Sequence, residues 1–374
     1  MGPDGRAGSP RGGNRRQPCG MNAPFTPMLE TVTLADLTDP GELARIERFV
    51  VEREGTPFHR PAWLRAVERG TGQRALGLIA ERGGNLTGWL PVTEVRSPLF
   101  PAALVSSGFA VGGGAIADSE SSVQRLTKAA IELAQRLSCA SVELRCADIE
   151  EGWRQVTGKH ANFAAPLAES DDAQLLAIPR KQRAEVRKGL QQPFAVKVGT
   201  SDEDRRMHYA VYCQSVRNLG TPVFPRALFD AVLDGFGSAA DILTILLENK
   251  PVAAVLTVYH RGVAYPYWGG GTRAARASRA NERLYFELMG HARRRGCGTF
   301  DFGRSKIGSG AFAYKKNWGF TPEPLTYAVW QKPGEAARDI DPNSDVYSGK
   351  IALWKRLPLP VANRLGPIIA RGLA

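Results

Sequence analysis

"ALGLIAERGGNLTGWLPVTEV" spans residues 75–95, and "DILTILLENKPVAAVLTVYH" spans residues 241–260. Each is a pair of apolar runs broken by a short turn built on Gly or Asn, so each predicts a β-hairpin. Each hairpin is followed by a glycine triplet, Gly112 to Gly114 in one case and Gly269 to Gly271 in the other. A helical pattern comes next: "SSVQRLTKAAIELAQRLSC" (121–139) and "SRANERLYFELMGHARRRGC" (278–297). In the second, Leu284, Leu288 and His291 recur at i, i+4 and i+7, and Arg293 to Arg295 sit at the negative end of the helix dipole. Both patterns run into a strand, "SVELR" (141–145) or "TFDFG" (299–303), with Cys139 and Cys297 at matching places before them.

The matched features keep nearly constant spacing, which predicts a duplicated α/β unit. Two tandem domains are expected, each a mixed sheet flanked by helices. The segment "APLAESDDAQ" (165–174) interrupts the patterns and marks the join. The expected division is a leader at 1–24, a first domain at 25–168, a second at 169–333 and a tail at 334–374.

The chain has 374 residues, enough for two such domains, and a formal net charge of +12. That charge favours an anionic partner: nucleic acid, a phosphorylated substrate or a membrane surface. The opening "MGPDGRAGSPRGGNRRQPCG" lacks an apolar run and reads as a disordered leader, with Met21 as a candidate start. Nothing approaches the ~20 consecutive apolar residues of a membrane span, so a cytoplasmic location is expected, with peripheral contact to the inner membrane open. Five scattered cysteines (Cys19, Cys139, Cys146, Cys213, Cys297) argue against a disulfide framework. No histidine pair has metal-ligand spacing, and no metal is expected.

The copies diverge after the last matched strand. The second continues as "RSKIGSGAFAYKKNWGF" (304–320), the first as "CADIEEGWRQVTGKHANF" (146–163), which has one lysine and no comparable aromatic pair. Chemistry is therefore expected mainly in the second copy. "FDFGRSKIGSG" (300–310) is neither a kinase motif, because no HRD precedes it, nor a P-loop, because Ser309 follows Gly308. It leaves Asp301 and Arg304 at a strand end, where α/β domains often border a crevice. In "IPRKQRAEVRKGL" (178–190), Arg180, Arg183 and Arg187 share one helical face, with Lys181, Glu185 and Lys188 beside it. Such a stripe matches phosphate oxygens, or it is a solvated face. Tyr265, Tyr267 and Trp268 in "YPYWGGG" pack a core or wall a pocket, and His59 with Trp63 is read as a same-face helical pair. The tail 348–374 mixes apolar residues with Lys355, Arg356, Arg364 and Arg371, so it either docks on the domain or touches anionic lipid.

The order of hairpin, glycine bend, helix and strand is similar to the GNAT acyltransferase fold. The duplicated form, opened by "IPRKQRAEVRKG" and closed by "FDFG" and "YKKNWG", resembles the FemAB-type aminoacyltransferases over roughly residues 45–330. More narrowly it looks like the FemAB-like proteins associated with exosortase and PEP-CTERM systems in exopolysaccharide producers. The resemblance implies transfer of an aminoacyl or acyl group to an amine on a cell-envelope or exopolysaccharide precursor. It implies no tightly bound cofactor and two candidate donors, aminoacyl-tRNA or acyl-CoA. The tRNA-engaging helical arm of some members is missing here, and "GGGTRAARAS" (269–278) lacks the usual coenzyme spacing.

The family's closing lysine carries over to Lys315, where it stabilises negative charge on the reacting carbonyl. A fixed cation about 3 Å from a developing oxyanion lowers that barrier. The expected catalytic group is Lys315 with Asp301 and Tyr314. Arg180, Lys181, Arg183, Arg187, Lys188, Arg304, Lys316, Trp268 and Trp318 are expected to bind an anionic, phosphate-bearing substrate. A non-catalytic nucleic-acid-binding protein or a membrane-surface scaffold are the readings from other classes.

Overall fold

A computed structural model describes residues 29–145, 152–335 and 345–373. The leader, Met21, Cys19 and Cys146 lie outside the described residues. In the first half β1 (Thr31–Leu34) precedes α1 (Pro40–Glu52) and α2 (Pro61–Thr71). Then come β2 (Arg74–Arg82), β3 (Asn85–Val95), β4 (Ala103–Ser106), β5 (Ile116–Ala117), α3 (Glu120–Arg136), β6 (Ser141–Leu144), β7 (Arg154–Asn162) and β8 (Ala164–Pro166). The second half opens with α4 (Asp171–Ala177), α5 (Arg180–Leu190), β9 (Ala195–Gly199), α6 (Asp202–Leu219) and α7 (Arg226–Phe236). It continues through β10 (Ala240–Leu247), β11 (Lys250–His260), β12 (Val263–Gly271), α8 (Arg273–Ser278), α9 (Ala280–Arg294), β13 (Thr299–Asp301), β14 (Ser305–Lys306), α10 (Gly310–Asn317) and β15 (Glu323–Gln331). The tail forms α11 (Asp345–Arg356) and α12 (Leu359–Ala370).

Both quoted stretches are hairpins, and they match in detail. Arg82 pairs with Asn85 and Leu247 with Lys250, so each turn has two residues. Both turn residues have positive φ in each case: Gly83 and Gly84, Glu248 and Asn249. That is the backbone whose twist suits a two-residue hairpin. A bulge recurs at the same place, between Ala80 and Glu81 in one copy and Ile245 and Leu246 in the other. Helix α3 covers the first sheet with Leu126, Ala130, Leu133 and Ala134, and α9 covers the second with Leu284, Leu288, Met289 and Ala292.

Each sheet contains a parallel neighbour pair, β4 with β6 and β12 with β13, among otherwise antiparallel strands. The two-sheet α/β architecture is thus the expected one, but the halves also exchange strands. β15 inserts between β6 and β7 of the first sheet, and β8 pairs with β13 of the second. The last strands of each half therefore complete the other's sheet, across the division read near residue 168.

Between the halves lies an aromatic core. Trp63 stacks on Trp268 with centroids 5.6 Å apart, and Phe58 meets Tyr265 and Tyr267. Helices α2 and α7 pack so closely that a Cβ on Gly70 would fall 2.3 Å from the Leu228 Cα. His59 ends a tight turn before α2, is fully buried, and accepts from the Thr56 N–H through Nδ1 at 3.0 Å. Burial lowers its pKa to about 4, so it is a neutral structural group.

Candidate active site

Parallel strands that diverge leave a gap at their carboxyl ends, where α/β domains bind ligands. β4 and β6 stay paired only as far as Val105 and Glu143, and β12 and β13 only as far as Ala264 and Phe300. Both gaps open on one cavity of about 230 Å³ between the halves. The first half contributes Phe109 to Val111 and Arg145; the second contributes Pro266 to Trp268, Phe302 to Arg304 and Lys315. Phe224 and Leu373 complete the wall.

The bulge between Leu256 and Thr257 against Trp268 and Pro266 leaves Tyr267 as the extra residue of β12. Bulges re-aim side chains beside active sites. Here Tyr267 crosses to the first half, and its hydroxyl donates to the Phe109 carbonyl at 2.7 Å. Trp268 is buried, and its carbonyl lies 2.6 Å from His208 Nε2. Burial lowers the pKa of His208 to about 4, so that ring is neutral too.

Lys315 reaches the cavity through the local geometry of α10. Ser309 caps the helix by accepting from the Phe312 N–H at 3.2 Å. Gly319 closes it with φ +92, where a Cβ would stand 3.0 Å from Pro179 Cδ. Lys315 and Trp318 turn inward at i and i+3, and Lys316 faces solvent. The Lys315 ammonium donates to the carbonyls of Gly303 at 2.8 Å and Arg304 at 3.1 Å. It lies 5.4 Å from the Phe302 ring centre and 5.5 Å from that of Phe163. An ammonium has three N–H groups, so one remains for a guest in the cavity.

Lys315 is 9% exposed, and burial lowers its pKa to about 7. Asp301 opposes that shift and Arg304 adds to it. The Asp301 carboxyl is raised by its own burial and accepts from the Gly303 N–H at 2.9 Å. Positive φ at Gly303 shapes this turn, between its bond to Asp301 and its carbonyl on Lys315.

Arg304 donates to the Tyr327 hydroxyl at 2.8 Å, and Tyr327 in turn donates to the Val111 carbonyl at 3.1 Å. Arg145 comes from the end of β6. It donates to the carbonyls of Ser107 and Ala110 and lies 3.5 Å from Glu143. Three cations thus meet around the cavity, two from the second half and one from the first.

The expected site residues divide accordingly. Lys315, Arg304 and Trp268 line the cavity, and Asp301 stands behind Lys315. Tyr314 and Trp318 pack instead in an aromatic cluster with Tyr285 and Phe302. Arg180, Lys181, Arg187 and Lys188 lie exposed on α5, which packs against α9, and do not reach the cavity. Arg183 turns back to the Ile178 carbonyl, and Glu185 pairs with Lys188 and Arg279. Lys316 is on the outer face of α10, over the Phe312 ring at 6.0 Å.

Arg145 and Tyr327 were missing from the sequence-based site, where Tyr267 was read only as packing a core or walling a pocket. Arg145 had a signal, since it ends "SVELR" where "TFDFG" runs on to Arg304. A larger hollow of about 650 Å³ lies between α1, α2 and α7, but its Arg60 and Arg69 are already paired with Glu47 and Asp234. Among the described residues no group of His, Cys, Asp or Glu is arranged to hold a metal ion.

Residues 180–316 match the family described as acetyltransferase (GNAT) domain. No curated protein matches the sequence. Among solved structures, FemX is similar with a TM-score of 0.61 at 14% identity, over 76% of this chain and 95% of that one. A tandem GNAT protein from the clavulanic acid biosynthesis pathway gives 0.54 at 10% identity, over 82% and 100%. L-PGS from Bacillus licheniformis gives 0.51 at 15%, over 85% and 96%. At such identities these likenesses speak for the fold. At residues 180–316 the chain matches an acetyltransferase (GNAT) domain, its fold is that of tandem GNAT proteins, and it is an acyltransferase.

Proposed function

We propose that this acyltransferase is of FemAB type and moves an aminoacyl or acyl group to an amine on a cell-envelope or exopolysaccharide precursor. The observation that carries the reading is the Lys315 ammonium, fixed by two carbonyls and two phenyl rings at the meeting point of both strand gaps.

In this reading the amine attacks the donor carbonyl, and the pair of electrons displaced onto oxygen is met by the remaining Lys315 N–H. In a poorly hydrated cavity such a donor is worth far more than in water. Collapse of the tetrahedral species re-forms the carbonyl and breaks the bond to the donor's leaving group, which departs with the proton that the amine gives up, and leaves the amide. Asp301 serves as the counter-charge that keeps Lys315 protonated. Arg304 and Arg145 hold anionic parts of the substrate, and the exposed α5 stripe holds phosphates of the donor.

The acetyltransferase domain match favours acyl-CoA as donor. Aminoacyl-tRNA is the second reading, supported by the resemblance of "YKKNWG" and by the basic face of α5. Calorimetry separates them: sub-millimolar binding of acetyl-CoA supports the first, and silence supports the second. Lys315→Met is expected to abolish transfer while the protein stays folded; unchanged turnover by that variant removes the reading. The exosortase association and a cytoplasmic location are proposed on the resemblance, and co-purifying small molecules identified by mass spectrometry test the substrate class.

A further inference from the structure

The C-terminal helix is built inside out. On α12 the residues facing the body are small: Ala362, Gly366 and Ala370 are buried at i, i+4 and i+8. Gly366 lies so close to Val223 that a Cβ would come within 2.6 Å of its side chain. Leu359 packs on the core and Ile369 is half-buried, but Val361, Leu365 and Ile368 face away, exposed by 41%, 43% and 54%. A helix that merely covers a core has the reverse order, with its large apolar residues inside.

The apolar face extends beyond α12. Leu353 on α11 and Leu219 at the end of α6 are exposed, and Ile351 packs against the adjoining Gly220. Exposed Leu99 belongs to the loop on which Gly372 rests, through Phe100 and Ser97. Just beyond, Leu373 stands on the wall of the cavity.

The charge on this segment has one sign. Residues 349–373 contain two lysines and three arginines and no Asp or Glu. Lys355, Arg356, Arg364 and Arg371 are exposed. We propose that this face docks the protein on an anionic lipid bilayer and holds the cavity beside the membrane surface.

Large apolar side chains entering the acyl boundary, with cations reaching headgroup phosphates, are the two demands of interfacial binding. A second copy of this chain meets only the first, because a two-fold contact would set cations against cations. Among the described residues no helix is long and apolar enough to cross a membrane, so the contact made by this face is interfacial.

The test is co-sedimentation of the full chain with vesicles of phosphatidylglycerol and phosphatidylcholine, or of phosphatidylcholine alone. Binding to the anionic vesicles that weakens with salt is expected, with little binding to neutral ones. Reversing Lys355, Arg356 and Arg364 to Glu together changes only exposed side chains and is expected to lower the partition by a hundredfold or more, at about fivefold per cation. Val361→Ser, Leu365→Ser and Ile368→Ser combined are expected to abolish it. Equal partition to both vesicle types, or none, overturns the proposal. So does a dimer seen by light scattering that the serine variant dissolves, which would make the face a contact between copies. Lys315→Met is expected to bind vesicles like the native protein, so failure of docking and failure of the catalytic reading stay distinguishable.

Discussion

The Gly303 carbonyl oxygen accepts a hydrogen bond from Lys315 Nζ at 2.8 Å, twelve residues along the chain and across the cavity floor. Gly303 ends the turn after β13, so strand and helix meet through a buried cation. A cation so placed is held for what it does, because burying it costs stability.

That cost has a definite pH dependence. The folded pKa of Lys315 is about 7, against an ordinary 10.5. Between those values the unfolded chain binds more protons, so this group makes stability rise with pH. The penalty is fully present below pH 7 and is gone above about 10.5. Lys315→Met is therefore expected to melt higher than the native protein at pH 6–7. The difference should amount to a few kcal/mol, at about 1.4 kcal/mol per unit of pKa, and should shrink toward pH 10. Thermal melts across that range decide it, and a variant less stable at every pH contradicts it.

The same titration predicts the rate profile. If Lys315 acts as a cation, turnover falls as pH rises through about 7. Removing the attraction of Asp301 lowers the Lys315 pKa further, so Asp301→Asn is expected to move the falling limb to lower pH. A limb that rises through pH 7 and vanishes in Lys315→Met would make the lysine a base instead.

The bridge from Arg304 through the Tyr327 hydroxyl to the Val111 carbonyl ties β15 to the first half. Tyr327→Phe removes one donor and one acceptor, leaving Arg304 short of a partner. A loss of about 1–3 kcal/mol in urea unfolding is expected, with weaker binding of an anionic substrate read as a raised KM. Unchanged stability would show that Arg304 finds another acceptor.

What was legible in the sequence was local. Hairpin turns, the apolar runs of β2, β3, β10 and β11, and the inward face of α9 are written within a few residues of each other. The strand exchange was not legible. "EPLTYAVWQ" (323–331) is a short stretch rich in aromatic and β-branched residues, and nothing nearby says that it completes the other half's sheet. Arg145 and Tyr327 enter the site only through that exchange and through the convergence of two strand gaps. The α5 arginines lie away from the cavity for the converse reason, since helical spacing shows which residues share a face and not what the face looks onto.

Gly319 tests whether the closing motif acts through backbone shape. Its φ of +92 is a conformation that side chains rarely adopt, and a Cβ would also press on Pro179 Cδ at 3.0 Å. The Phe320 N–H bonds back to the Lys315 carbonyl at 3.3 Å, so strain at position 319 is passed to the residue that carries the ammonium. Gly319→Ala is expected to cost about 1–3 kcal/mol in denaturant unfolding. It should also lower kcat more than it raises KM, because a shift of about an ångström in a catalytic group can cost a hundredfold in rate. An alanine variant with native stability and native kcat would show that the turn is free to rearrange and that Lys315 is positioned by its two carbonyl acceptors alone.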